Sequence, residues 1–566
     1  MVLTTDPETG LTTGSGTTSD GAQYLLYVPY EFNGTLLIYS HGYRYSFPIP
    51  SIGYTVSYVP ELWPYSAGAP GSDEYNNTLL LGLLNKGYAM IGSGFSRQGW
   101  NADLAVKTNV ELNLLFKKKF AHPDPTQPIK VIQWGVSLGG YITQCVDEIY
   151  PQLVNATGLL TPAMMAPDAE FTIAQHSLWM MKAVFDTSLL AAPGGVALKC
   201  HNYSSGNAGV IEANLDINSL LGIGGNLYYY PLVGTTWSPS YTLVTPFINP
   251  LGSGDTTLPS PVQCISIIAL MLDLLPVSAS FDGKVGPTIP AGAISAGLGD
   301  IIPTFPSVNY TLTANENKNL ALCNNINSAV SLAVASGYDW ELLCGANLFD
   351  NNSINYSELF TAENYPETFT NYLTLMGGQT KVTAFLNYLD NRTLNPRFTA
   401  DPESVAIFEN QVHQVGTANK VPSLILATQA DPIVFAYGLQ KYIDLYASSS
   451  TTENSLMTTW TVPPDTFTLY DPTRFATPFT SPFYCDPDKV VTGATQAGGT
   501  GHVIYSAEQQ LALIDALAIA AEKKTVDDEV AEAMLLTKLN TGDFTSKEEP
   551  DFEIPVNPLM DFNISD

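Results

Sequence analysis

The first third of the chain alternates between two hydrophobic rhythms. Residues 22–29 (AQYLLYVP) and 35–40 (TLLIYS) are short apolar runs, the second continuous as in a strand buried on both faces. Residues 78–86 (TLLLGLLNK) read as a helix stopped near Gly87, and 88–92 (YAMIG) as the next strand. Within 103–120, Leu104, Val110, Leu112, Leu115 and Phe116 recur at helical spacing. A Pro-rich loop at 123–128 leads into a strand at 129–134 (IKVIQW), after which Leu138, Ile142, Cys145, Val146 and Ile149 again follow a helical period. This alternation predicts an α/β fold with a mostly parallel sheet and helices on both faces.

After residue 150 the rhythm changes. Helical patterns near 168–190, 262–275, 315–335, 366–377, 379–389 and 401–414 flank a stretch at 192–262 rich in Gly, Pro, Ser and Tyr. Strand and helix then alternate again: 421–428 and 458–464 as strands, 436–448 and 506–523 as helices, with Ser506 as N-cap. The expected organisation is a core of 1–155 and 415–525, a mainly helical insertion over 156–414, and an acidic tail over 526–566. An insertion of this length far exceeds an ordinary loop.

Composition narrows the function. The 566 residues carry a formal net charge of -30, from 53 acidic and only 23 basic side chains. So few cations cannot neutralise a phosphate backbone or dock on anionic lipid, so no nucleic-acid partner is expected. No apolar run reaches the roughly 18 residues of a membrane span. Six cysteines in a Lys-poor, Thr/Asn-rich chain suggest an oxidising compartment and up to three disulfides, with buried thiols as the alternative. Sequons at Asn33, Asn76, Asn155, Asn202, Asn309, Asn351, Asn355, Asn391 and Asn563 fit a secreted glycoprotein. The chain opens without an apolar leader, so secretion implies that one has been removed. No clustered metal ligands and no phosphate-binding Gly loop are present in the sequence, so neither a metal nor a cofactor is expected.

The chemistry concentrates at Gly135-Val136-Ser137-Leu138-Gly139, a G-x-S-x-G match placed between a strand and an amphipathic helix. That context requires small residues on both sides of the serine and puts Ser137 at a helix N-terminus, where backbone N–H groups favour developing negative charge. The sequence resembles the α/β-hydrolase superfamily, serine esterases and lipases included, here and at three further places. Leu36–Tyr43 (LLIYSHGY) resembles the strand ending in His-Gly whose loop supplies an oxyanion donor. By that resemblance the backbone of Tyr43 (or Gly42) and of Leu138 form the oxyanion hole, with His41 anchoring the loop. Leu424–Val434 (LILATQADPIV) resembles the acid-bearing strand and loop, making Asp431 the acid. Gly498–Val503 (GGTGHV) makes His502 the general base, and the order Ser, Asp, His agrees.

The resemblance covers about 1–155 and 415–525, with the insertion as a lid. No Cys flanks Ser137 or His502, unlike the disulfide-linked triad of tannase- and feruloyl-esterase-like enzymes. It implies hydrolysis of a small-molecule or polymeric carboxylic ester, with a serine peptidase or a binding protein on a hydrolase scaffold as alternatives. Arg97 and Trp100, just past the YAMIG strand, are candidate substrate contacts; a loop anchor is the other reading of Arg97. Trp179, Met180, Met181 and the 265–271 run are read as lid core, and Tyr228–Tyr230 as a possible aromatic contact surface outweighed by loop packing. Oligomeric state stays open.

Overall fold

The computed structural model describes residues 1–64, 73–165, 170–186, 197–233, 259, 261–273, 288–289, 310–311, 314–413, 415–416, 419–428, 431, 433–449, 455–461, 502, 505, 507–535 and 559. The chain begins with strands β1 (Val2–Thr5), β2 (Thr12–Thr17), β3 (Gln23–Val28) and β4 (Thr35–Ser40). Helix α1 (Asp73–Asn85), strand β5 (Ala89–Ser93), helix α2 (Ala102–Lys119), strand β6 (Lys130–Val136), helix α3 (Leu138–Ile149) and strand β7 (Ala156–Leu160) follow. Next come α4 (Phe171–Phe185), α5 (Gly206–Val233), α6 (Pro261–Met271), a ribbon of β8 (Thr288–Ile289) and β9 (Tyr310–Thr311), and α7 (Ala314–Cys344). Helices α8 (Tyr356–Leu359), α9 (Pro366–Tyr372), α10 (Gln379–Leu389) and α11 (Pro402–Gln411) complete the insertion. Strand β10 (Ser423–Thr428), α12 (Ala436–Ser449), β11 (Leu456–Thr461), α13 (Ala507–Lys523) and α14 (Asp528–Leu535) close the chain.

The main sheet runs β1-β2-β3-β5-β4-β6-β7-β10-β11. Strands β1 to β3 are antiparallel, and the six strands from β5 to β11 pair in parallel. The period-2 alternation of each central strand assigns its residues to opposite faces. Leu36, Ile38, Val131 and Ile425 join one apolar cluster with Leu112 and Phe116 of α2 and Ile142 of α3. Leu37, Tyr39, Ile132, Trp134 and Leu426 join the other, with Leu79 and Leu83 of α1 and Leu513 and Leu517 of α13. This is the expected α/β architecture. The β1–β2 hairpin was not expected, because its residues are largely exposed and carry no alternating apolar pattern.

The insertion's apolar side chains are continuous with the first cluster: Leu178, Trp179, Met180, Ile267 and Val330 share one core with β4 and α2. Helix α5 lies in the stretch that composition marked as irregular. It packs along α7 and buries Ala213, Ile217 and Leu220, so tertiary packing outweighs the unfavourable helix propensity of its glycines. Two expectations need correction. The tail does not begin at 526, because α14 buries Val530 and Met534 against the second cluster. Cys145, Cys200, Cys264 and Cys344 are buried free thiols and form no disulfide among the described residues. Each sits in the first apolar cluster, and burial pushes the Cys344 thiol up to about 11. Cys485 and the side chain of Cys323 lie outside the described residues.

Buried carboxyl groups give stability a pH dependence. Burial pushes Asp147 and Glu341 up to about 7 and Asp339 up to about 6. A raised folded-state value stabilises fully below the unfolded value, roughly 4 for these groups, and is lost as pH rises through the folded value. His41 and His176 act in the opposite sense below about pH 6.5, since burial lowers both. As pH rises past that value the unfolded histidines shed their protons, and the acids increasingly set the slope. The melting temperature is therefore expected to fall between about pH 6.5 and 8, with a shallower profile below. Calorimetry on wild type and Asp147→Asn checks this; an equally steep fall in the variant, or a flat wild-type profile, contradicts the assignment.

Candidate active site

Ser137 stands between the last residue of β6 and the first of α3, with φ 55° and ψ −123°. A non-glycine residue at positive φ costs of order 1–3 kcal/mol and persists only where its surroundings enforce it. Here the Ser137 N–H donates to Leu160 O at 2.9 Å, and its carbonyl accepts from the N–H groups of Gly140, Tyr141 and Ala163 at 2.9, 3.2 and 3.0 Å. The glycines are needed sterically. A Cβ on Gly139 would overlap the Ser40 carbonyl, and one on Gly135 would overlap the carbonyl of Gly139. Ser137 is 8% exposed, at the floor of a pocket.

Leu160 pairs with both Val136 and Leu426, so β6, β7 and β10 reach the same sheet edge in register. Asp431 leaves that edge three residues after β10. Its Oδ1 accepts the N–H groups of Ile433 and Val434 at 2.8 and 3.0 Å, which orients the carboxylate. Its Oδ2 lies 2.7 Å from Nδ1 of His502. The pair is enclosed, with the Asp431 side chain at 0% and His502 at 7% exposure. Tyr505, three residues on, donates its hydroxyl to Leu426 O at 3.0 Å and ties this segment to β10. The structure thus brings His502 and Asp431 together, 71 residues apart in sequence. The glycines preceding His502 lie outside the described residues.

The loop after β4 comes close to the serine: a Cβ on Gly42 would lie 3.3 Å from Ser137 Cβ. His41 donates from Nδ1 to the Gly42 carbonyl at 2.7 Å and packs on Phe95, so its side chain anchors the loop. Tyr43, Leu138 and Trp100 line the pocket beside Ser137. The opposite wall comes from the insertion, through Phe171, Ile173, Leu332 and Trp340. Arg97 takes the loop-anchor position. Its guanidinium pairs with Asp103 and donates from Nε to Trp100 O at 3.1 Å. It holds its own loop and is absent from the pocket lining. Trp179, Met180, Met181 and Ile265–Met271 form insertion core rather than pocket wall. The side chains of Tyr228–Tyr230 lie outside the described residues.

Sequence reasoning missed Glu170 and Trp340, both in the pocket wall, and Asp339 beside it. Burial, reinforced by the nearby Asp431 charge, holds Glu170 well above the usual carboxyl range. Its Oε1 is buried without a hydrogen-bond partner among the described residues. Two pocket hydroxyls are satisfied locally: Ser177 donates to Ala174 O at 2.6 Å and Ser336 to Ala333 O at 3.3 Å. No local pattern marks these residues, because helix periodicity does not say which turn faces a cavity.

The strand order, the parallel register through β6, β7 and β10, and the strained serine turn define the α/β-hydrolase fold. No family model matches the chain, and no curated protein matches it. Solved structures that it resembles include feruloyl esterase B from Aspergillus oryzae, at 12% identity and TM-score 0.28, covering 81% of this chain and 76% of that one. Another esterase from Aspergillus oryzae is similar at 11% identity and TM-score 0.27, over 80% of this chain and 71% of that one. An esterase from Pyrococcus furiosus is similar at 13% identity and TM-score 0.21, over 29% of this chain; the match spans 57% of its length.

Proposed function

We propose that the protein is a serine hydrolase that cleaves carboxylic esters through an acyl-enzyme on Ser137. The observation that carries this reading is the strained serine in the pocket lining, together with Asp431, three residues past β10, hydrogen-bonded to His502. Asp431 fixes His502 with its proton on Nδ1, leaving Nε2 free to accept. Nε2 takes the Ser137 hydroxyl proton as Oγ attacks the ester carbonyl carbon. The N–H groups of Leu138 and Tyr43 (or Gly42) receive the developing oxyanion, each donor worth about 3 kcal/mol in such sites. Collapse expels the alcohol, which takes the proton from His502, and water then releases the acid by the same steps.

The helical insertion is the cap of this reading, since it supplies one wall of the pocket. Aromatic and aliphatic walls suit an apolar acyl or alkoxy group. Secretion is part of the proposal, supported by the scarcity of Lys and Arg and by sequons at exposed Asn33, Asn202 and Asn391. Asn351 cannot be modified in the folded chain, because it is fully buried and bonded to Tyr356 and Phe398. The test is turnover of p-nitrophenyl esters of increasing acyl length beside a peptide anilide. Ester turnover is expected to dominate; anilide turnover exceeding it would move the assignment to a peptidase.

A further inference from the structure

One turn of α7 carries the insertion down onto the loops that frame Ser137. Tyr338, Asp339 and Trp340 are 4%, 4% and 1% exposed. The Tyr338 ring meets Phe47 edge-on at 5.1 Å, and the Trp340 ring packs on Trp100 at 4.6 Å. Between them the Asp339 carboxylate receives the Tyr43 hydroxyl on Oδ2 and the Ser46 hydroxyl on Oδ1. The nearby backbone N–H of Trp100 also favours its charged form. Gly99, at φ 74°, packs so closely that a Cβ there would overlap the carboxylate. Asp339 makes no direct ion pair among the described contacts; Arg97 acts on it only at longer range.

A buried carboxylate without a paired cation is costly, and hydrogen bonds to the charged form offset that cost. Its hydroxyl donors here, Tyr43 and Ser46, lie on the loop after β4, which comes close to Ser137 at Gly42. Tyr43 also lines the pocket and stands where the oxyanion donor is proposed. The other contact, Trp100, lines the same pocket. A purely structural anchor could sit anywhere along the large interface between insertion and sheet. This one binds the loop whose position, to within about an ångström, sets the fate of the transition state.

We infer that Asp339 is a positioning residue, which through the hydroxyls of Tyr43 and Ser46 holds the 41–47 loop in register with Ser137. The insertion is then a fixed part of the reaction centre and not a cover that lifts away as a whole. This rests on the reading of Ser137 as nucleophile and of the Tyr43 loop as oxyanion donor.

The experiment measures kcat and KM of full-length Asp339→Ala, Asp339→Asn and Tyr43→Phe with a short p-nitrophenyl ester. Rates are normalised to sites labelled by a fluorophosphonate, so that unfolded protein is not counted. Asp339→Ala is expected to lose roughly 10²-fold in kcat, the scale of a misplaced oxyanion donor, with KM changed less than about threefold. Asn can accept one hydroxyl bond through Oδ1 and donate to the other oxygen through Nδ2, so Asp339→Asn should recover most of that loss. Tyr43→Phe removes one bond and should fall between. If Asp339→Ala does not fold, Ser46→Ala combined with Tyr43→Phe removes the same two bonds from the loop side. A kcat per labelled site within threefold of wild type, a loss confined to KM, or no recovery by Asn overturns the inference. Failure of the underlying reading looks different: the fluorophosphonate would then not label Ser137 in the wild-type protein.

Discussion

Ser137→Ala is expected to reduce ester turnover by roughly 10⁶-fold, the loss found when a nucleophilic serine is removed from such a triad. Only the hydroxyl is deleted. The backbone position at φ 55° is as strained for Ala as for Ser, and the N–H and carbonyl bonds that hold the turn are main-chain bonds. The fold and melting temperature should therefore change little. That separates this substitution from Gly139→Ala, where the added methyl would meet the backbone of the neighbouring strand end. Residual ester turnover close to wild type, in protein shown to be folded, would remove Ser137 from the reaction and with it the whole mechanism.

The second large effect is expected at Asp431. Its two oxygens do different jobs: Oδ1 accepts two backbone N–H groups, and Oδ2 faces Nδ1 of His502. In Asp431→Asn the carbonyl oxygen is held in the Oδ1 position by those N–H donors, so the amide nitrogen must face His502. An N–H donor opposite Nδ1 makes that ring nitrogen the acceptor and moves the proton to Nε2, the atom that has to accept from Ser137. The expected loss is about 10⁴-fold in kcat with geometry intact. Activity per folded molecule and a crystal structure or ring-nitrogen NMR of the variant check it. A loss below tenfold would mean that His502 does not depend on Asp431 for its tautomer.

Much of the candidate site was legible in the sequence alone. The turn at Ser137 is local: five consecutive residues meet a steric requirement that only small flanking residues satisfy, between a strand and a helix whose periods can be read directly. Asp431 and His502 followed from chain order together with the apolar strand before one and the late Gly-rich loop around the other. Helices α4 and α10 were legible for the same reason, a sustained period over contiguous residues. Helix α5 was not, because its glycines weaken the local signal and packing against α7 supplies what propensity lacks.

The sequence by itself therefore determined the sheet-and-helix alternation and the strand-to-helix turn at Ser137, and it named Asp431 and His502 as candidates beside it, since each depends on neighbours in the chain. Tertiary structure decided the rest. It placed Asp103 against the Arg97 guanidinium, which ties Arg97 into its own loop. It left four cysteines as isolated thiols in apolar surroundings. It also set Asp339 beneath Tyr43, 296 residues away in sequence. Pairings across such distances depend on how whole layers pack, and no residue period or local motif encodes which buried carboxylate will meet which hydroxyl.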